Sequence, residues 1–179
     1  MVLLVTRLRA LALVPVLLAL GACSAGVTAG SDDGYDADEI AAEVQKAQEK
    51  VTPDLEVSDA TCPEDADLEE GAVIDCSVSI AGVKAPYEVT VTSLEDGHAE
   101  FDLAPAKAII SVDAAVGFLE DQAEQQGLTG VTVECGDAAI IVQDPQTTFP
   151  CTLTNGDHVQ DISLLIKDLD GTVSIDSTS

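Results

Sequence analysis

Five cysteines are the residues of this 179-residue chain whose positions most constrain their chemistry. Cys62, Cys76, Cys135 and Cys151 form an even set, which in an oxidising compartment favours two disulfides, with three pairings open. A zinc site would need several Cys or His ligands at close helical or knuckle spacing. The two histidines, His98 and His158, follow the turn glycines Gly97 and Gly156 and read as exposed loop residues. No Gly-x-Ser-x-Gly stretch is present to hold a serine nucleophile. Carboxylates abound, so pairs such as Glu69 with Glu70, or Asp96 with Glu100, read as solvated acidic loops. Asp168-Leu169-Asp170-Gly171 looks like part of a calcium loop, but Ile166 stands where the first ligand belongs, so it reads as a hairpin turn. For Asp32, Asp33, Asp36 and Asp38 weak calcium binding stays open beside the leading reading, nonspecific screening. Neither a cofactor nor a metal is expected, and no enzymatic activity.

Cys23 stands apart. It follows Leu20-Gly21-Ala22 at the end of an apolar run from Leu11, interrupted by Pro15, with Arg7 and Arg9 ahead of it. A basic start, a short apolar stretch and small residues before a cut are the parts of an export signal. The run is shorter than the roughly 20 apolar residues a membrane span requires. Cleavage between Ala22 and Cys23 would leave a thiol at the new terminus, free to accept a diacylglycerol. The segment resembles bacterial lipoprotein signal peptides with their lipobox. That resemblance implies a chain held on the outer face of the cell membrane by acyl groups on Cys23, two or more of which anchor stably.

The chain carries 7 basic and 33 acidic residues, a net of -26, and losing Arg7 and Arg9 with the signal would bring it to -28. Nucleic acids and anionic lipid surfaces are bound through Lys and Arg, so neither is an expected partner. There is no Trp, and Tyr35, Tyr87, Phe101, Phe118 and Phe149 are the only rings. The core must therefore be built from Val, Ile, Leu and Ala.

The elements follow from periodicity. Residues 24–35 are small, polar and acidic and read as a flexible tether, reaching at most roughly 40 Å. A helix is expected over Asp36–Thr52, with Asp36 and Glu39 at capping-box spacing, a stripe of Ile40, Val44, Ala47 and Val51, and Pro53 beyond its end. Four strands follow. Leu55 and Val57 mark the first, and Ile74, Cys76, Val78 and Ile80 share a face of the second. Tyr87, Val89 and Val91 share a face of the third, as do Ala99, Phe101 and Leu103 of the fourth. Ala81-Gly82 and Glu95-Asp96-Gly97 are the turns. After a connector at Ala104–Lys107 the order repeats. Ser111 caps a second helix with Asp113 in its first turn, Gly127 closes it, and its stripe is Val112, Ala115, Val116, Leu119 and Ala123. Strands follow at Val131–Cys135, Phe149–Leu153, Ile162–Ile166 and Val173–Ile175, with turns at Asn155-Gly156 and Asp170-Gly171.

The landmarks recur at matching offsets. Helix cap to first cysteine is 26 residues (36 to 62) and then 24 (111 to 135), and cysteine to cysteine is 14 and then 16. Second cysteine to last turn glycine is 21 (76 to 97) and then 20 (151 to 171). The expected fold is α+β: two tandem repeats, each one helix followed by a four-stranded antiparallel sheet. The repeat selects Cys62–Cys76 and Cys135–Cys151 from the three pairings. The division is a signal peptide at 1–22, an acylated cysteine and tether at 23–35, a first repeat at 36–103 and a second, more divergent repeat at 104–179.

Cys62-Pro63, Gly71, Ile74-Asp75-Cys76, Gly82 and Val89-Thr90-Val91 resemble the pattern of domain of unknown function 4333, a family common in actinobacterial envelope lipoproteins. The second half is similar through Cys135, Phe149-Pro150-Cys151 and Gly156, but has Gly136 where the family has Pro and lacks the Gly before its second cysteine. The resemblance implies an extracytoplasmic location and a disulfide, and no activity. In architecture alone the chain resembles the secreted β-lactamase-inhibitory protein, which grips its target with aromatic side chains on a concave sheet. The leading expectation is a non-enzymatic, membrane-anchored envelope module that binds a protein or wall component. The alternative is an inhibitor of an extracytoplasmic enzyme, which would need Tyr87, Phe101 and Phe149 exposed on one face. A wall hydrolase, the third reading, would need a carboxylate-lined cleft.

Overall fold

The computed structural model describes residues 24–27, 36–66, 68–95 and 98–176. The expected signal peptide and Cys23 lie outside these residues. Among the described residues the fold is α+β, with two helices, antiparallel sheets and two disulfides.

The first helix, α1 (Ala37–Val51), starts where Asp36 accepts the backbone N–H of Asp38 at 3.0 Å and of Glu39 at 3.2 Å. It packs on a sheet of order β1-β5-β4-β3-β2, where β1 is Ser24–Val27, β2 Val57–Thr61, β3 Val73–Ile80, β4 Val83–Glu95 and β5 His98–Pro105. Alternation sets its inner face. Ile74 pairs with Val89 and Val89 with Leu103, while Cys76 pairs with Tyr87 and Tyr87 with Pro105. These rows, with Ile40 and Val44 from α1, make the first core. The β3–β4 hairpin turns on Ala81 and Gly82, both at positive φ (48° and 78°), the type I′ geometry that suits strand twist.

The second helix, α2 (Val112–Gln125), is capped by the Ser111 hydroxyl. At its far end Gly127 adopts φ 78°, and Leu128 N–H reaches the Ala123 carbonyl while Gly127 N–H reaches that of Glu124. That pair of bonds is a Schellman motif, which satisfies carbonyls the helix leaves open. The helix buries Val112, Ala115, Leu119 and Ala123. The second sheet has the order β11-β10-β9-β7, with β7 Val131–Glu134, β9 Thr148–Asn155, β10 His158–Ile166 and β11 Val173–Ile175. Phe149 pairs with Leu164 and Leu153 with Val133, on the inner face.

Five features depart from the sequence reading. Ser24–Val27, read as tether, pair antiparallel with Asp102 to Ala99 and cover the outer edge of β5. Backbone groups along an open edge seek partners whatever the side chains, so small residues serve. The connector is also strand: β5 runs through Pro105, and β6 (Ala108–Ser111) pairs with β8 (Ile140–Gln143) as a separate two-stranded ribbon. Ile109, Ile140 and Val142 of this ribbon pack into the first core, and Ala108, Ile110 and Ile141 into the second. A strand buried on both faces carries consecutive apolar residues instead of alternating ones. The α1 stripe is rotated as well. Ile40, Ala41, Val44 and Gln48 are buried, and Val51 is 73% exposed. Finally, Ile175 is exposed, and the second hairpin turns on Gly156-Asp157, between Asn155 and His158, one residue later than expected.

Candidate functional site

Both disulfides join neighbouring strands. Cys62, just past β2, bonds Cys76 on β3, and Cys135, just past β7, bonds Cys151 on β9. The segments they enclose behave differently. Between Cys62 and Cys76 the chain returns Ala66, Leu68 and Ala72 to the first core, and Gly71 N–H and the Ala72 carbonyl bond the backbone of Val91. Between Cys135 and Cys151 residues Gly136–Ala139 stay exposed before β8 begins, tied to α2 through the bond from Val112 N–H to the Ala139 carbonyl.

A groove of about 800 Å3 opens there. Its floor is Val112, Val116, Val133, Ile141 and Phe149, and Thr152 and Gln143 supply neutral polar groups. Three exposed carboxylates line it: Asp113 in the first turn of α2, Glu134 at the end of β7 and Asp137 after the disulfide. The strand alternation places them. Val133 points inward, so Glu134 points out. Asp113 sits one residue past the buried Val112, where the helix dipole favours a negative charge. Among the described residues no Lys, His or free thiol lines the groove. The chemistry on offer is attraction of a cation beside an apolar surface.

Of the residues singled out from sequence, few share a place. His158 opens β10 on the exposed surface, far along the strand from the groove-lining Pro150, whose partner is Ser163. His98 begins β5. Glu69, Glu70 and Glu100 are exposed, and Asp96, Asp32 and Asp33 lie outside the described residues. Asp168 accepts Thr172 N–H at 3.0 Å on its carboxylate and Gly171 N–H on its carbonyl, which is a turn and not a calcium loop. Among the described residues no group of three or more His, Cys, Asp or Glu is arranged to hold a metal ion. No helix among them is long and apolar enough to cross a membrane. Tyr87, Phe101 and Phe149 are all buried. Asp113 is readable from sequence only as a helix-start residue, and Glu134 and Asp137 carry no signal, because nothing local marks an acid as a groove wall.

A second cavity, of about 330 Å3, lies where α1, the first sheet and the β10–β11 turn meet. At its floor Gln48, 1% exposed, accepts a short hydrogen bond from the Tyr87 hydroxyl and donates to Thr52 Oγ1 at 3.1 Å. Burial raises the Tyr87 phenol from 10.0 to about 12, since desolvation disfavours the phenolate.

Residues 18–97 match the family model described as Domain of unknown function (DUF4333), a span that holds α1, β2 to β4 and the Cys62–Cys76 disulfide. The second sheet and its groove lie outside that match. Neither a curated protein nor a solved structure matches the chain.

Proposed function

We propose that this chain is a lipid-anchored, extracytoplasmic, non-enzymatic module of the cell envelope, built from two tandem helix-plus-sheet units, whose groove takes a cationic segment of an envelope protein. The observation that carries the reading is the groove itself: an apolar floor of aliphatic side chains and Phe149 with Asp113, Glu134 and Asp137 beside it. A lysine-bearing segment with apolar neighbours matches both parts. The surrounding field adds to this, since the chain's net charge of -26 steers basic partners and repels acidic ones. The groove's three carboxylates meet the requirement set for a wall hydrolase, but Phe149, the ring in its lining, is 3% exposed and offers a sugar no face to stack on, so we keep the binding reading. An inhibitor gripping with rings lacks support, because the three rings it would need are buried.

The lipid reading rests on the residues around Cys23 and acquires a geometry from β1. Ser24 is already paired with Asp102. An acyl group on Cys23 would therefore hold the β1–β5 edge against the membrane surface, without a long tether between.

The test uses a fluorescein-labelled peptide of alternating lysine and leucine, titrated against the disulfide-bonded protein. Saturable binding is expected, weakening as salt rises, and at least about tenfold weaker when Asp113, Glu134 and Asp137 are all replaced by their amides. Equal binding by the triple variant would overturn the assignment of the groove. In cells, proximity cross-linking with a Cys23→Ala control tests the anchor, and a partner captured equally by both forms would remove it from the reading.

A further inference from the structure

We propose that the cavity between α1 and the β10–β11 turn is a second ligand site, specific for a small neutral molecule with an aliphatic body and a hydroxyl head. It is independent of the groove and of the lipid anchor.

The body is argued from the walls. Ala47 and Val51 of α1, Leu103 and Pro105 of β5 and Ile109 of β6 are apolar, and about 330 Å3 is the size of a small-molecule pocket. Two large apolar side chains sit exposed beside it, Val51 at 73% and Leu169 at 44%. Val51 falls on the same helical face as the buried Ile40 and Val44, but as the last residue of α1 it stays exposed. At the mouth it lengthens the greasy channel. The far wall is held close. Gly171 has φ 77°, and a Cβ there would lie 2.9 Å from the Ile109 carbonyl oxygen, so the turn bearing Leu169 and Asp170 presses onto β6.

The head is argued from the floor. A glutamine amide has two N–H donors and an oxygen that accepts. Gln48 spends its oxygen on the Tyr87 hydroxyl and one N–H on Thr52. Among the described residues its second N–H meets no acceptor, although the side chain is almost wholly buried and lines the cavity. Buried polar groups are nearly always paired, and an unpaired one at the end of an apolar pocket points to a ligand atom. The Tyr87 oxygen, having donated its proton to Gln48, keeps acceptor capacity beside it. One hydroxyl satisfies both: it accepts from Gln48 Nε2 and donates to Tyr87 Oη. Charge decides against the acids. Among the described residues no Lys, Arg or His lines the cavity, and Asp170 does. A fatty carboxylate would lose its hydration with no cation to replace it.

The probe is 1-octanol, added to isotope-labelled, disulfide-bonded protein and followed by two-dimensional amide NMR. Saturable shifts are expected at the Gln48 side-chain amide and at the backbone of Ile109 and Leu169. Octanoate should bind at least about tenfold more weakly than octanol. Gln48→Leu keeps the volume and removes the donor, and should weaken octanol about five- to tenfold. Val51→Glu changes an exposed residue, leaves the core intact, and should abolish the shifts by charging the mouth. The proposal is overturned if octanol gives no saturable shift, if octanoate binds as well, or if Gln48→Leu binds octanol as tightly as the parent. None of these outcomes bears on peptide binding in the groove.

Discussion

The two inter-cysteine segments differ in separation by only two residues, 14 against 16, and do opposite things. The first folds its apolar residues back onto its own core and bonds β4. The second leaves four residues exposed and then supplies β8, which pairs with β6 and packs into both cores. One disulfide thus closes a covered face, and the other holds open a groove. The same frame of helix, strand, staple and meander accommodates both because the staple fixes two strands and leaves the intervening chain free.

Removing the staples sharpens that contrast most. Closing a loop of about 15 residues contributes roughly 3 kcal/mol in the chain-entropy model, so Cys62→Ser with Cys76→Ser and Cys135→Ser with Cys151→Ser should each lower stability by about that much in denaturant melts. Their effects on binding should part. Loss of Cys135–Cys151 should abolish peptide binding, and loss of Cys62–Cys76 should leave it unchanged below the melting range.

The next effect concerns Tyr87, which has no counterpart in the second half. Its phenol is raised from 10.0 to about 12 by burial, so the folded state holds the proton that the unfolded chain releases. Stability from this group is full below pH 10 and is lost as pH rises through 12, about 2–3 kcal/mol in all. Urea melts of the parent should weaken over that window, and those of Tyr87→Phe should weaken less. Equal slopes would break the contrast.

The helices differ in one half-buried detail. Only α2 has an internal glycine, Gly117, and nothing lies within 4 Å of the place an added methyl would take. Gly117→Ala should stabilise by about 1 kcal/mol, read as a higher melting temperature. Smallest is the pair of hairpins. Ala81 stands at φ 48° in the first, and Gly156 at φ 59° in the second. Ala81→Gly should gain about 0.5 kcal/mol, and Gly156→Ala should lose about 1 kcal/mol. The same sign for both would show that the turns are not the similar devices their backbones suggest.

Much of the frame is readable from residues alone. Asp36 and Ser111 cap helices because their short oxygens reach the first free N–H groups, and Gly127 ends one because it tolerates left-handed backbone. The alternating strands and the cysteine pairing follow from local pattern and spacing. The unread parts share a cause, which is dependence on distant partners. Ile109-Ile110 and Ile140-Ile141-Val142 have no period, and short unbroken apolar runs fit a strand or a helix equally until something buries both faces. Gln48 has the look of a surface residue, and its burial is offset by Thr52 one turn on and by Tyr87, 39 positions on, which no local pattern links to it. The groove is hidden for the same reason, since Asp113, Glu134 and Asp137 are ordinary acids until β7, β8 and α2 converge.

The β6–β8 ribbon has a consequence for how this chain can be divided. Its one face belongs to each core, yet both of its strands come from beyond residue 103. The first unit is therefore roofed by its neighbour's residues, Ile109, Ile140 and Val142, and has no wall of its own at that side. A cut at residue 97 or 103 would remove these three residues from the first core. An excised first unit should present a bare aliphatic patch where Ile109, Ile140 and Val142 now pack, and should aggregate.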